Sequence, residues 1–107
     1  MTAFSFPEVV EVEARDGRVI WIKFDDGESG EVDLSHLTGP VFERWDNEKF
    51  FQSVHITDSW RTVGWGPDQE ASDYIDLCPD TLYMSITGLT LGQYHARRRR
   101  MAHQEEL

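Results

Sequence analysis

A chain of 107 residues that is 39% hydrophobic, carries four tryptophans and has a formal net charge of −10 has room for one hydrophobic core and enough apolar side chain to fill it. No apolar run approaches the ~20 residues of a membrane-spanning helix, and a single cysteine, Cys78, excludes an internal disulfide and a four-cysteine metal site. Nonspecific affinity for nucleic acid rests on neutralising phosphates, which an acidic chain does poorly.

The charge is unevenly placed. Residues 1–94 hold six Lys/Arg against eighteen Asp/Glu, a net of −12, while residues 95–107 hold four Arg and two Glu. The amino-terminal MTAFSFPEVV has neither a basic n-region nor a cleavable apolar core, so no signal peptide and a cytoplasmic location are expected.

Residues 1–7 read as a lead-in, with Pro7 setting an extended backbone. Val9–Ala14 alternates, which places Val10, Val12 and Ala14 on one face and Val9, Glu11 and Glu13 on the other. Arg18–Phe24 alternates again, with Ile20, Ile22 and Phe24 opposite Val19, Trp21 and Lys23. Taking Arg15-Asp16-Gly17 and Asp25-Asp26-Gly27 as three-residue hairpin loops closed by a left-handed glycine pairs Val12 with Ile20 and Val10 with Ile22. It likewise pairs Ile20 with Val32 and Ile22 with Gly30. A two-residue Asp26-Gly27 turn would set Ile22 against Glu31, and a slip of one residue reverses faces. The stretch Gly17–Leu34 is therefore the heart of a three-stranded antiparallel meander with Ile20 and Ile22 inward and Trp21 partly covered.

Leu34–Leu37 reads as a turn and Gly39-Pro40 as a break. Asp46 is the expected N-cap of a short helix over Asn47–Ser53 that buries Phe50 and Phe51. Val54–Thr57 and Thr62–Trp65 are strand candidates bridged by Asp58–Arg61. Gly66–Ser72 is a surface loop, and Tyr74–Leu77 a short apolar segment. Asp80 caps a helix over Thr81–Ile86 that ends at Gly88. A last helix starts at Thr90 or Leu91, but its stripe of Leu91, Tyr94 and Met101 is thin, so it is expected to project, fray or pack on another subunit. The expected fold class is α+β: a small antiparallel β-meander sheet, extended by later short strands, with two or three short helices including a carboxy-terminal basic helix. Residues 1–88 form the domain and 89–107 the basic helical tail.

Four segments carry a resemblance: Phe24–Gly27, Gly30–Ser35, Gly39–Phe42 and Pro79–Tyr83, in that order and with Trp65 between them. Their succession over Pro7–Tyr83 resembles the small bacterial proteins grouped as domain of unknown function 2442. The resemblance implies a small α+β domain with an antiparallel sheet and no established activity. It also implies company: some members are fused to a carboxy-terminal helix-turn-helix, and some are encoded beside another small protein in a toxin–antitoxin-like arrangement. The Trp65–Asp68 loop is longer than the family's usual turn. The tail after Tyr83 is too short for a complete helix-turn-helix, which weakens a DNA-binding reading.

Catalytic and metal signatures are sparse. Asp25, Asp26, Glu28, Glu31 and Asp33 lack the regular loop spacing of a calcium site and fit turn chemistry and a solvated face. Cys78, beside Leu77, reads as a small buried thiol. Ser35-His36 is adjacent rather than facing. His36, His55, His95 and His103 make no HExxH or Cys/His pattern. No enzyme, cofactor or metal is expected. The tryptophans point elsewhere, because tryptophan and arginine anchor interfaces. About half of Trp21, Trp45, Trp60 and Trp65 should fill the core, and Trp21, Trp60 or Trp65 should be exposed enough to mark a partner-binding surface.

Arg97, Arg98, Arg99 and Arg100 admit three readings. They can be a charge cluster at a helix carboxy terminus, a dock onto the acidic body of a sister subunit or partner, or a nucleic-acid contact, which ranks third because the body repels a duplex. The expected function is a non-catalytic protein-binding module, an antitoxin-like or accessory partner of another small protein, with homodimerisation through the tail helix as a further possibility. The alternative is a nucleic-acid-binding regulator acting through Arg97–Arg100. A metabolic enzyme would need a pocket gathering His36 or His55 with carboxylates.

Overall fold

The computed structural model describes residues 7–58, 60–67 and 74–97. The expected lead-in over 1–6, the loop over 68–73, and Arg98–Arg100 with Met101 lie outside these residues. The described elements are β1 (Val9–Ala14), β2 (Val19–Phe24), β3 (Ser29–Asp33), a 3-10 helix (Pro40–Asp46), α1 (Glu48–Gln52), β4 (His55–Ile56), β5 (Val63–Trp65), β6 (Ile75–Asp76) and α2 (Pro79–Thr87). Helical turns follow at 91–97. The strands form two antiparallel sheets, β1-β2-β3 and β4-β5-β6, so the α+β class holds. The later strands, however, build their own sheet instead of extending the meander. A hydrogen bond from the Val9 N–H to the Arg61 carbonyl (2.7 Å) joins the two.

The β2–β3 register is the expected one, with Ile20 opposite Val32 and Ile22 opposite Gly30. The Phe24 N–H reaches the Glu28 carbonyl at 2.8 Å, and Gly27 closes the turn at φ +93°. The β1–β2 hairpin differs. Val12 lies opposite Ile22 and Ala14 opposite Ile20, a shift of two residues that preserves faces. The Arg15 N–H pairs with Val19, so the loop is Asp16-Gly17-Arg18. Arg18 lies in that loop, and its side chain donates to Asp46 Oδ1 (2.5 Å) of the 3-10 helix. A bulge between Val9 and Glu11 turns Val9 inward (1% exposed) and Val10 outward (47%), the reverse of strict alternation. One extra residue in a strand exchanges the faces beyond it.

Ile20, Ile22 and Phe24 are fully buried, and each such side chain contributes about 1.5–3 kcal/mol. The core continues into an aromatic cluster of Trp45, Phe51 and Trp65. Pro40 opens the 3-10 helix, which carries Trp45 inward. The cap of α1 is Asn47, one residue later than expected; its side chain accepts from the Phe50 N–H at 3.2 Å. Phe51 is buried and Phe50 partly so. Helix α2 starts at Pro79, with Cys78 as its N-cap, and ends at Gly88 in the left-handed conformation (φ +73°). Cys78 is exposed, not a buried thiol, because the cap position sits at the surface end of the helix.

The last helix is anchored by a reciprocal capping box: Gln93 N–H to Thr90 Oγ1 (3.2 Å) and Thr90 N–H to Gln93 Oε1 (3.0 Å). Its Tyr94 is fully buried, packs 5.5 Å from the Tyr83 ring and donates to Asp80 Oδ1 (2.7 Å). Residues 91–97 therefore pack on their own body. One aromatic ring with a polar end compensates for a thin stripe.

Gly64 in β5 is required by close packing. A Cβ there would overlap the Tyr74 hydroxyl, come within 2.7 Å of Tyr74 Cζ and lie 2.9 Å from the Thr57 methyl. The Tyr74 hydroxyl is held 2.6 Å from His55 Nε2 and cannot yield without losing that bond. Gly64→Ala is expected to destabilise the fold by about 1–3 kcal/mol, the usual range for overpacking, read as a lowered urea midpoint with unchanged slope.

Candidate interaction surface

The four tryptophans divide sharply. Trp45 and Trp65 are core, at 3% and 0% exposure. The Trp65 indole N–H donates to the Phe51 carbonyl at 2.9 Å, and its ring lies 4.7 Å from Trp45. Trp65 is thus removed from the expected partner-binding residues: β5 is buried along its whole length, and the ring lies in the aromatic cluster. Trp21 is half-buried on the outer face of the first sheet, between Glu13 and Glu31 on the adjoining strands, with the Arg15 guanidinium 5.9 Å from its ring. That ladder of its own charges covers it. Trp60 is 69% exposed, the most exposed large apolar side chain among the described residues.

Local geometry explains how Trp60 stays outside. Thr57 and Thr62 close the β4–β5 hairpin through the Thr57 N–H to the Thr62 carbonyl (2.9 Å) and the Thr62 N–H to Thr57 Oγ1 (3.2 Å). Both threonines are buried. Between them Trp60 (φ +66°) and Arg61 (φ +48°) are left-handed, the only non-glycine residues so placed among the described residues. Left-handed backbone costs a non-glycine residue about 1–3 kcal/mol. The Arg61 carbonyl is tied to Val9, and Thr62 Oγ1 donates to the Leu77 carbonyl at 2.6 Å. The two sheets therefore hold the loop in a conformation that its own residues disfavour.

Trp60 borders a cleft of about 380 Å³ that runs over Thr62, Leu77, Cys78 and Pro79 to Asp76 and Asp80. A second hollow of about 260 Å³ shares Leu77 and Cys78 and continues over Leu34, Leu37 and Leu82. The rim is acidic, and Asp76 and Asp58 add to burial in pushing the Tyr74 phenol above its ordinary pKa. A larger concavity of about 460 Å³ lies between the β1–β2 turn and α1. Both of its arginines are already engaged, Arg18 with Asp46 in the lining and Arg15 with Glu13 beside it. The Trp45 indole N–H beneath it has no acceptor, but it is sealed from solvent.

Arg97 is not part of this surface. It donates to Glu28 Oε2 (2.6 Å) and to the Tyr83 hydroxyl (3.2 Å), while the Tyr83 hydroxyl donates to Asp26 Oδ2 (2.5 Å). This latch fixes the last helix to the β2–β3 turn and takes Arg97 out of the expected basic patch. The acidic cluster is likewise structural: Asp26 Oδ1 accepts the Glu28 N–H (3.0 Å) and Asp33 accepts the Ser35 N–H (2.9 Å). Among the described residues no three His, Cys, Asp or Glu side chains come together as a metal set. His36 Nδ1 lies 3.1 Å from the Asp33 carbonyl, and His55 faces Tyr74. No described helix is long and apolar enough to cross a membrane.

A family profile described as protein of unknown function (DUF2442) matches residues 9–88. The chain belongs to that family. The matched span runs from β1 to the glycine that ends α2 and so includes the Trp60 loop, the cleft and Tyr83, while Tyr94 and Arg97 fall beyond it. No curated protein and no solved structure matches the chain.

The latch has a pH consequence. Burial first, and then the hydrogen bond to Asp26, raise the Tyr83 pKa above its ordinary 10.0. A group whose folded pKa is raised contributes stability that is complete below the unfolded value and is lost as pH rises past it. The protein should lose stability above pH ~10, and Tyr83→Phe should make that loss shallower. At pH 7 the same substitution should cost about 1–2 kcal/mol for the lost hydrogen bonds to charged partners. Urea titrations of both proteins between pH 7 and 11 measure the two effects.

Proposed function

We propose that this DUF2442 protein is a non-catalytic protein-binding module, an accessory or antitoxin-like partner of another small protein, and that Trp60 is the anchor of its contact surface. The observation that carries this reading is an indole 69% exposed on a loop held left-handed at two consecutive non-glycine residues. Folding alone favours the opposite arrangement, a buried ring and a relaxed or glycine-containing loop, because burying a large apolar side chain contributes about 1.5–3 kcal/mol relative to leaving it exposed. Tryptophan is among the residues most enriched at the centres of interfaces. The cleft beside it supplies apolar floor at Leu77 and Pro79 and an acidic rim at Asp76 and Asp80. The partner that fits presents an apolar pocket for the indole and basic residues around it, an arrangement that also speeds encounter with a chain of net charge −10. Occlusion of the partner's surface would be the mechanism. The nucleic-acid alternative draws its support from Arg97–Arg100, and the first of these is held by Glu28 and Tyr83.

Two variants test the reading. Trp60→Gly relieves the left-handed strain, so stability should stay level or rise by up to about 1 kcal/mol. Capture of the partner from native lysate should nonetheless fall at least about tenfold, as loss of a hot-spot residue does. Trp60→Phe should retain part of the capture. Nuclease treatment of the lysate should change nothing. Capture that is equal for wild type and Trp60→Gly, or that disappears with nuclease, would refute the proposal.

A further inference from the structure

The outer edge of β3 lies apart from the Trp60 loop and is the last strand of its sheet among the described residues. Hydrogen-bonded pairing in the β2–β3 ladder runs through Phe24 with Glu28 and Arg18 with Leu34, hence also through Ile22 with Gly30 and Ile20 with Val32. In an antiparallel ladder, narrow and wide pairs alternate. The main-chain groups of Ser29, Glu31 and Asp33 therefore point away from β2, and β3 is the last strand of its sheet. The Asp33 carbonyl confirms the direction, since it meets His36 Nδ1 at 3.1 Å. Among the described residues this leaves the N–H and C=O of Ser29 and Glu31 and the N–H of Asp33 without a strand partner, and all three residues are exposed.

Charged side chains on an edge can serve simply to prevent self-association. What distinguishes β3 is the hollow beside it. Helix α2 packs closely on β3, with Ile86 against Gly30, and between strand and helix lies the hollow of about 260 Å³ lined by Val32, Leu34 and Leu37 on one side and Thr81, Leu82 and Ser85 on the other. A free main-chain ladder next to a groove for alternate side chains is the geometry by which domains bind extended peptides.

Charge selects the occupant. A second copy aligned antiparallel on Glu31 would set Glu31 against Glu31, and like charges directly opposite destabilise a pair of strands. The Glu31 carboxylate is 3.6 Å from Arg15 but remains 62% exposed, and hydrogen bonds from the Ser35 hydroxyl and N–H hold the Asp33 carboxyl below its ordinary pKa. We propose that the β3 edge accepts an extended, basic segment of a partner protein as a fourth strand, with its apolar side chains seated in the groove between β3 and α2.

The probe is a heptapeptide alternating lysine and valine, with two versions N-methylated at every second residue in opposite phases. The proposal requires binding by the parent peptide and by one methylated phase, with the other phase weaker by at least about tenfold, because only alternate N–H groups face the edge. Amide exchange should slow about tenfold or more at Ser29, Glu31 and Asp33, while Gly30 and Val32, already paired, stay as they were. Glu31→Lys combined with Asp33→Lys should reject this peptide and accept one alternating glutamate and valine. If that variant fails to fold by circular dichroism, the two methylated phases on the wild-type protein decide. Equal binding of both phases, no binding at all, or protection confined to the Trp60 loop would overturn the β3 proposal. The last of these would leave the Trp60 reading standing, and loss of capture by Trp60→Gly with an unaltered β3 footprint would separate the two surfaces.

Discussion

The Trp65 indole is the interaction on which the rest of the structure depends. The second sheet has strands of two, three and two residues, too short to be stable as a sheet by itself. Trp65 stands in its central strand, donates its ring N–H to the Phe51 carbonyl, and packs its faces on Trp45 and Phe51. One side chain thereby joins β5, the end of α1 and the 3-10 helix. Removing it would detach the second sheet from its support and open a large cavity among Trp45 and Phe51, which costs more than the lost area alone.

That anchoring has a consequence at the other end of the sheet. With β5 fixed by Trp65 and β1 tied to Arg61 by the Val9 N–H, the β4–β5 loop has little freedom, and the left-handed backbone at Trp60 and Arg61 is held from both sides. The strained loop and the exposed indole follow from the same rigidity that makes the aromatic core. Binding surfaces benefit from such preorganisation, because a side chain already immobilised loses less entropy when a partner covers it.

Much of the fold was legible because the turns and periodicities are strong. Asp25-Asp26-Gly27 set the β2–β3 register, and Gly88 marked the end of α2. The β1–β2 register was not legible, because a shift of two residues keeps every side chain on its face and so leaves no trace in the hydrophobic pattern. Nor does a bulge, which is why Val9 and Val10 exchange places. The capping box Thr90-Leu91-Gly92-Gln93 was present in the sequence as a signal for the last helix, but the docking of Tyr94 depends on Asp80, fourteen residues away. At the candidate surface, two of the four tryptophans fill the core, the share expected, but which two was not legible. Trp21, Trp60 and Trp65 look alike in composition, and only pairing and loop geometry divide them. Arg97 shows the same limit: its partners, Glu28 and Tyr83, belong to distant elements.

The two surfaces, an aromatic cleft and an acidic strand edge, are both built on elements of the family span, and the proposed partner at each has basic and apolar character. The central proposal is that Trp60, held in solvent at 69% exposure, is there for a partner to cover. Fluorine NMR of the protein labelled with 5-fluorotryptophan, assigned with Trp60→Phe, measures this through the shift of each resonance between H2O and D2O. In the free protein Trp60 should show the largest solvent shift and Trp45 and Trp65 none. In a complex with a protein that the wild type captures and Trp60→Gly does not, the Trp60 shift should collapse while the two core resonances stay in place. A Trp60 resonance already insensitive to solvent in the free protein, or unchanged in the complex, would contradict the account.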